Sequence, residues 1–191
     1  MLSETNAPIG PGVLVLVVGP SGAGKDSLLN GARQCLAGDN RYVFPARVIN
    51  RPANASEAHV PVTTAQFQKM QTSGAFALDW EAHGLFYGFP TSMDDLIRSA
   101  KIVVVNASRR VVAEARARYA STRVIFVDCP VALRAERLAA RGREAFEEIR
   151  SRLSRTVAEF EQKEADSVIT NSGLLADGVE ELVSHLVCLR R

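Results

Sequence analysis

The segment Gly19-Pro20-Ser21-Gly22-Ala23-Gly24-Lys25-Asp26-Ser27 sets three glycines, a lysine and a carboxylate side by side. That combination has a definite chemical use. Glycines let a backbone turn its N–H groups inward around an anion, and a helix starting directly after them aims about half a positive charge at the same point. A lysine there can follow charge as it moves along a polyphosphate. The spacing agrees with G-x-x-x-x-G-K-[ST], the phosphate-cradling P-loop, at every position but the last. Asp26 stands where a Ser or Thr hydroxyl ordinarily meets Mg²⁺. A carboxylate is also a hard oxygen ligand, so Asp26 and Ser27 are both candidates for contact with a Mg²⁺ ion accompanying ATP. Asp26 brings negative charge beside phosphates, which the ion would offset. Ser27 has a second role open to it, as an ordinary residue of a helix start.

Cations recur further along. Of 23 basic residues, 19 are Arg and 4 are Lys, and twelve of the Arg lie between Arg109 and Arg155. Arg grips phosphate or carboxylate through a planar fork, whereas Lys is a point charge. Arg134, Arg137 and Arg141 are spaced for one helix face. Gly142 ends that helix, and a second carries Phe146, Ile149, Leu153, Val157 and Phe160 as its apolar stripe, with Arg150, Arg152 and Arg155 off it. Two such helices joined at a glycine describe a lid, over about residues 134–155, that closes on anionic substrates. A solvated basic face paired with Glu136, Glu144, Glu147 and Glu148 is the other reading. Nucleic-acid binding is disfavoured, because acidic residues interleave and no aromatic stacking platform accompanies the arginines.

The elements that position these groups follow from hydrophobic periodicity. Val13–Val18 is a continuous aliphatic run, the pattern of a parallel strand covered on both faces. Ile102–Val105, Val124–Val127 and Val168-Ile169 repeat it. Between and after them lie helical patterns at Ser27–Leu36, Thr91–Ala100, Arg109–Ala120, Val131–Arg141, Phe146–Lys163 and Leu174–Leu189. Strands alternating with helices predict an α/β fold with a doubly wound parallel sheet. Residues 41–92 read differently. Arg41–Arg51 is strand-like but broken by Pro45, and Arg51–Pro61 is loop-rich. Thr63–Thr72 is a short helix capped by Thr63 or Thr64, with Phe67 and Met70 facing inward. Phe76–Trp80 and Leu85–Phe89 are short strands around a turn near Gly84. This stretch is a small lobe inserted into a single domain over 12–191, behind a loose leader at 1–11.

Composition closes off other classes. The chain has 191 residues, 47% hydrophobic and 23% charged, with a net charge of +2, the balance of a folded globule. Its longest apolar run is far short of the ~20 residues that span a bilayer, so no membrane partner is expected. Met1–Gly12 has no basic n-region and does not read as a signal peptide. Cys35, Cys129 and Cys188 are odd in number and widely spaced, and His59, His83 and His185 are equally scattered. Neither a disulfide framework nor a zinc site is expected, and a reducing cytoplasm fits.

Taken in order, Gly19–Ser27, Arg51-Pro52, Tyr87-Gly88, Arg137-Leu138, Arg141-Gly142-Arg143-Glu144 and Arg152-Leu153 resemble the motifs of guanylate-kinase-like P-loop kinases, over nearly all the chain after Gly12. The resemblance implies a P-loop NTPase fold whose inserted lobe holds the phosphate of an acceptor. By it, Arg51 and Tyr87 would bind that phosphate, and Lys25, Arg137, Arg141 and Arg152 would serve catalysis. The departures narrow the acceptor. Asn54 stands where guanylate kinases carry a second Arg, and Arg47 where they present a Ser. Their acidic, guanine-reading strand corresponds to Val104-Val105-Asn106, without a carboxylate. The base-reading Glu of their lobe maps near Asp79, with a one-residue ambiguity. Guanine offers N–H donors that want carboxylate acceptors, so these losses argue against GMP.

The sequence Gly-Pro-Ser-Gly-Ala-Gly-Lys-Asp-Ser is similar to that of the ribose 1,5-bisphosphate phosphokinases of phosphonate breakdown. That resemblance implies ATP-dependent conversion of ribose 1,5-bisphosphate to 5-phosphoribosyl 1-diphosphate. A base-free sugar bisphosphate suits a lobe that gained Arg47 while losing carboxylates. A nucleoside monophosphate kinase and a non-catalytic interaction module are the alternatives; such modules usually lose the P-loop Lys, which is intact here.

Overall fold

The computed structural model describes residues 7–52, 59–140 and 162–189. The expectations for Asn54, Arg141, Arg143, Arg150, Arg152 and Arg155, and for the second lid helix up to residue 161, lie outside these residues. What is described gathers into two compact units. One is drawn from residues 1–15, 41–104 and 111–122, the other from 16–40, 105–110 and 123–191.

The elements run β1 (Val13–Val18), α1 (Lys25–Cys35), β2 (Tyr42–Val43), β3 (Arg47–Ile49), β4 (His59–Pro61), α2 (Thr64–Thr72), β5 (Phe76–Ala82) and β6 (Leu85–Pro90). They continue with α3 (Ser92–Arg98), β7 (Ile102–Asn106), α4 (Val112–Arg118), β8 (Thr122–Asp128), α5 (Val131–Ala140), β9 (Ser167–Thr170) and α6 (Leu175–Cys188). Short 3₁₀ turns cover Arg109–Val111 and Gln162–Glu164. A five-stranded sheet has the order β2-β7-β1-β8-β9, and a four-stranded sheet the order β4-β3-β6-β5. The pairs β2/β7 and β8/β9 are parallel. This is the α/β architecture expected from alternating strands and helices. No described helix is long and apolar enough to cross a membrane.

Within the first unit, the break at Pro45 has a topological consequence. Proline cannot donate to a strand ladder, and the chain changes sheets across it, with β2 joining the five-stranded sheet and β3 the four-stranded one. The small lobe then folds around Phe67, which is fully buried and stacks on Phe76 and Phe86 at centroid distances of 4.5 and 5.6 Å. Its helix α2 opens with a reciprocal capping box, Gln66 N donating to Thr63 Oγ1 and Thr63 N to Gln66 Oε1. The β5–β6 hairpin turns through His83 and Gly84 at φ of 55° and 70°, the pair of left-handed residues that a tight hairpin turn needs. Elsewhere in this unit Asp94 is 4% exposed. Its carboxylate accepts from Arg118 and from the Tyr119 hydroxyl, so the buried charge is paired. Hydrogen bonding to Asp94 holds Arg118 above the usual arginine range, and burial pushes the Tyr119 phenol up.

In the second unit, helices α1 and α6 pack together, Leu28, Ala32, Leu182 and Leu186 all fully buried. Their close approach needs glycine: a Cβ on Gly31 would collide with the side chain of Val179.

Candidate active site

The second unit carries a phosphate cradle. β1 ends at Val18, and the loop to α1 bends through Gly19, Gly22 and Gly24 at φ of 144°, 81° and 90°. These are left-handed conformations in which a side chain is strained. Space is equally restrictive. A Cβ on Gly19 would meet the carbonyl of Val127, one on Gly22 the carbonyl of Arg134 at 2.9 Å, and one on Gly24 the amide of Asn171. Gly24 caps α1 with no side-chain hydrogen bond, so the first N–H groups of the helix are not taken by a cap. Lys25 folds back on its own loop, its Nζ donating to Gly19 O at 2.8 Å and Pro20 O at 2.9 Å.

Two further strand ends and helix α5 supply contacts to this loop and to the start of α1. Asn171, just past β9, is 4% exposed and donates from Nδ2 to Ala23 O at 2.7 Å. Arg137 of α5 donates from Nη1 to Asn171 O at 3.1 Å and to Cys129 Sγ at 3.4 Å. Its guanidinium thereby lies beside Gly24. Asn106, the last residue of β7, donates from Nδ2 to Asp26 Oδ1 at 2.7 Å. Arg134 is 9% exposed, with its backbone against Gly22. Arg109, in the turn after β7, is held below the usual arginine range by burial and by the charge of Arg134. The carboxyl ends of parallel strands are where such sheets bind ligands, and β1, β7, β8 and β9 all deliver their residues there.

Of the residues expected in the cradle, the structure brings together Gly19, Pro20, Gly22, Ala23, Gly24, Lys25 and Asp26, with Arg137 beside them. Ser21 belongs to the same loop. Ser27 is exposed on α1. Arg134 and Arg137 do not form a solvated face; the first is buried and the second half-buried. Asp128 accepts from its neighbour Cys129 N at 2.8 Å, the hydrogen bond of a strand-end turn. Asn106, Arg109 and Asn171 are not legible as cradle residues in the sequence, because the sheet order alone brings them to the loop. The doublet Arg109-Arg110 right after a buried strand was the available signal.

The first unit carries the expected acceptor residues. Arg47 lies over the Tyr87 ring, 5.7 Å from Cζ to the centroid, and Tyr87 stacks on Trp80 at 5.4 Å. Register accounts for this: Ile49 pairs with Tyr87 and Tyr87 with Trp80, so all three share a face with Arg47, two residues before Ile49. Arg51 continues the same alternation past the end of β3, and its carbonyl accepts from the His59 ring at 3.2 Å. Asp79 is not brought to this face. It pairs across the strands with Gly88, one residue out of phase, and accepts from Gln71 Nε2 of α2 at 2.6 Å. Beyond β3, Asn50 Oδ1 accepts from Phe86 N at 2.7 Å and ties the strand end to β6.

A guanylate kinase family model matches residues 12–187. Ribose 1,5-bisphosphate phosphokinase PhnN of Rhodopseudomonas palustris is 45% identical over 170 residues, which cover 89% of this chain and 86% of that protein. The protein of the same name from Methylobacterium radiotolerans is 44% identical over 176 residues, covering 92% of this chain and 98% of its own. Among solved structures, guanylate kinase from Anaplasma phagocytophilum shares the fold with a TM-score of 0.67 at 17% identity, covering 95% of this chain and 87% of that one.

Proposed function

From the premise that the chain belongs to the guanylate kinase family, we propose that it transfers the γ-phosphoryl group of ATP to ribose 1,5-bisphosphate, giving 5-phosphoribosyl 1-diphosphate and ADP in phosphonate catabolism. One observation carries the choice of acceptor. The lobe face that presents Arg47 and Tyr87 is otherwise built from Ile49, Leu78, Trp80 and Phe89, and the one nearby carboxylate on β5 with a base-reading expectation, Asp79, projects from the other face. A cation and a phenol without a carboxylate suit phosphate, not the N–H edge of guanine. The high identity to proteins named for ribose 1,5-bisphosphate supports the same reading.

The inventory fits the chemistry. A phosphate's second pKa is about 6, so the attacking oxygen is already ionised at neutral pH and no general base is required. Catalysis then rests on positioning two anions and neutralising charge. Lys25 exchanges its two loop carbonyls for phosphate oxygens, Arg137 meets the transferring group beside Gly24, and Arg47, Arg51 and Tyr87 hold the acceptor. Arg141 and Arg152 add catalytic cations by the family resemblance. Among the described residues no group of three or more His, Cys, Asp or Glu is placed to hold a metal alone. A single carboxylate beside the cradle fits Mg²⁺ that arrives with ATP, an ion that keeps several waters and takes one or two protein ligands. Asp26 would hold it, with exposed Ser27 the lesser candidate. When bound, Mg²⁺ supplies charge neutralisation on the β- and γ-phosphates. An ATP-dependent activity of this kind fits a cytoplasmic enzyme.

Phosphorus NMR of the protein with MgATP and either ribose 1,5-bisphosphate or GMP tests the proposal. A new diphosphate on the sugar is expected, with no GDP formed from GMP; turnover of GMP alone refutes it. Lys25→Ala is expected to lower kcat by about 10²–10³-fold or more.

A further inference from the structure

Two departures from the family's sequence pattern meet at one hydrogen bond. Asp26 replaces the loop hydroxyl, and Asn106 stands where guanylate kinases have an acidic strand end. In the structure Asn106 Nδ2 donates to Asp26 Oδ1 at 2.7 Å. Resting on the MgATP reading above, we propose that Asn106 is a positioning residue that fixes the Asp26 carboxylate for the Mg²⁺ of MgATP, so that the two departures form one functional unit.

The geometry gives each partner a rigid base. Asp26 sits in the first turn of α1, on a backbone held by the glycine loop. Asn106 ends β7, and the next residue is tied to β1 by Ala107 N donating to Val17 O at 3.2 Å. A side chain joined to two fixed backbones has few rotamers left. Such outer partners orient a ligand, and their loss typically weakens metal binding by about 10–100-fold.

The residue types are mutually dependent. An amide at position 106 donates to the carboxylate and adds no charge. An Asp there, beside Asp26, would set two carboxylates in contact, where both cannot stay ionised without cost. A Ser at position 26 would in turn leave Asn106 without this carboxylate to hold. Neither position can therefore revert alone to the family pattern without disturbing the cradle. The same pairing removes the strand-end carboxylate that would read guanine, which couples metal placement to the choice of a base-free acceptor.

Electron paramagnetic resonance of free Mn²⁺, titrated into protein with a non-hydrolysable ATP analogue, reads the metal site directly. Asn106→Ala is expected to weaken Mn²⁺ binding to the protein–nucleotide complex about tenfold, with metal-free nucleotide affinity changed much less. In an Asp26→Ala background the same substitution is expected to have no further effect. Raising Mg²⁺ should restore the kcat of Asn106→Ala. Should that variant not fold, Asn106→Ser, whose hydroxyl is too short to bridge the gap, is read the same way. Wild-type Mn²⁺ affinity in the position-106 variant, or an equal loss in both backgrounds, overturns the inference while leaving the kinase reading standing. Failure of the wild-type protein to bind the Mn²⁺–nucleotide pair overturns both.

Discussion

Asn171 shows how a single side chain can hold a ligand loop in shape. Its amide donates to Ala23 O, its carbonyl accepts from Arg137, and its N–H bonds Asp128 O at 2.9 Å. The loop needs this help because its glycines lose more conformational freedom on ordering than other residues. Asn171→Ala is expected to leave the Ala23 carbonyl buried without its donor, a loss of about 1–3 kcal/mol. Two measurements separate the consequences. Thermal unfolding should shift down by several degrees, and KM for ATP should rise several-fold more than KM for the acceptor, since Asn171 touches the cradle only. Equal changes in both KM values would mean that the residue supports the whole fold and not the loop. Lys25 makes the complementary point, its ammonium donating to two carbonyls of the loop it belongs to.

At the level of elements, legibility followed contiguity. β1 was read residue for residue, since six aliphatic residues in a row fit a strand buried on both faces. β7 and β8 run one or two residues past their apolar runs, ending on Asn106 and spanning Thr122–Asp128, because ladders continue after hydrophobicity stops. By sequence, β4 falls in the loop-rich stretch Arg51–Pro61. His59–Pro61 is half-buried to exposed and ends in proline, and only its parallel register with β3 makes it a strand. The same logic divides the site. The cradle is contiguous in sequence and legible there, whereas Asn106 and Arg109 after β7 and Asn171 after β9 converge from two separate strand ends. Asp79 illustrates a third case. A one-residue shift in register flips a side chain to the other face, and the irregularity between Phe76 and Leu78 lies just before it. Within the lobe, Phe67 is the element's anchor. Phe67→Ala is expected to cost about 3–5 kcal/mol, and because Phe76 and Phe86 of the β5–β6 hairpin stack on this ring of α2, acceptor KM should rise while ATP affinity measured by calorimetry holds. Loss of both together would show that the lobe does not unfold locally.

Across the whole molecule, a net charge of +2 conceals an uneven distribution. Arg109, Arg134 and Arg137 crowd the cradle unit, while the other unit holds an acidic pair in Glu114 and Asp79. Partial burial raises the Glu114 carboxyl, the charge of Asp79 raises it further, and Arg118 opposes both. A carboxyl whose folded pKa exceeds its unfolded value binds its proton more tightly in the native state. Its contribution to stability is therefore complete below the unfolded pKa of about 4.5 and is lost as pH rises through the folded value. Glu114 in this way makes the protein slightly less stable at neutral pH than an uncharged residue would. Its side chain is exposed, so screening by solvent and salt keeps the effect small. Glu114→Gln should leave the Tm unchanged at pH 4 and raise it by about 1–2 °C above pH 6, with the difference shrinking in high salt. A Tm that falls at every pH would mean that Glu114 serves through Arg118 as a stabilising ion-pair partner, and that the like charge of Asp79 is not what this surface has to bear.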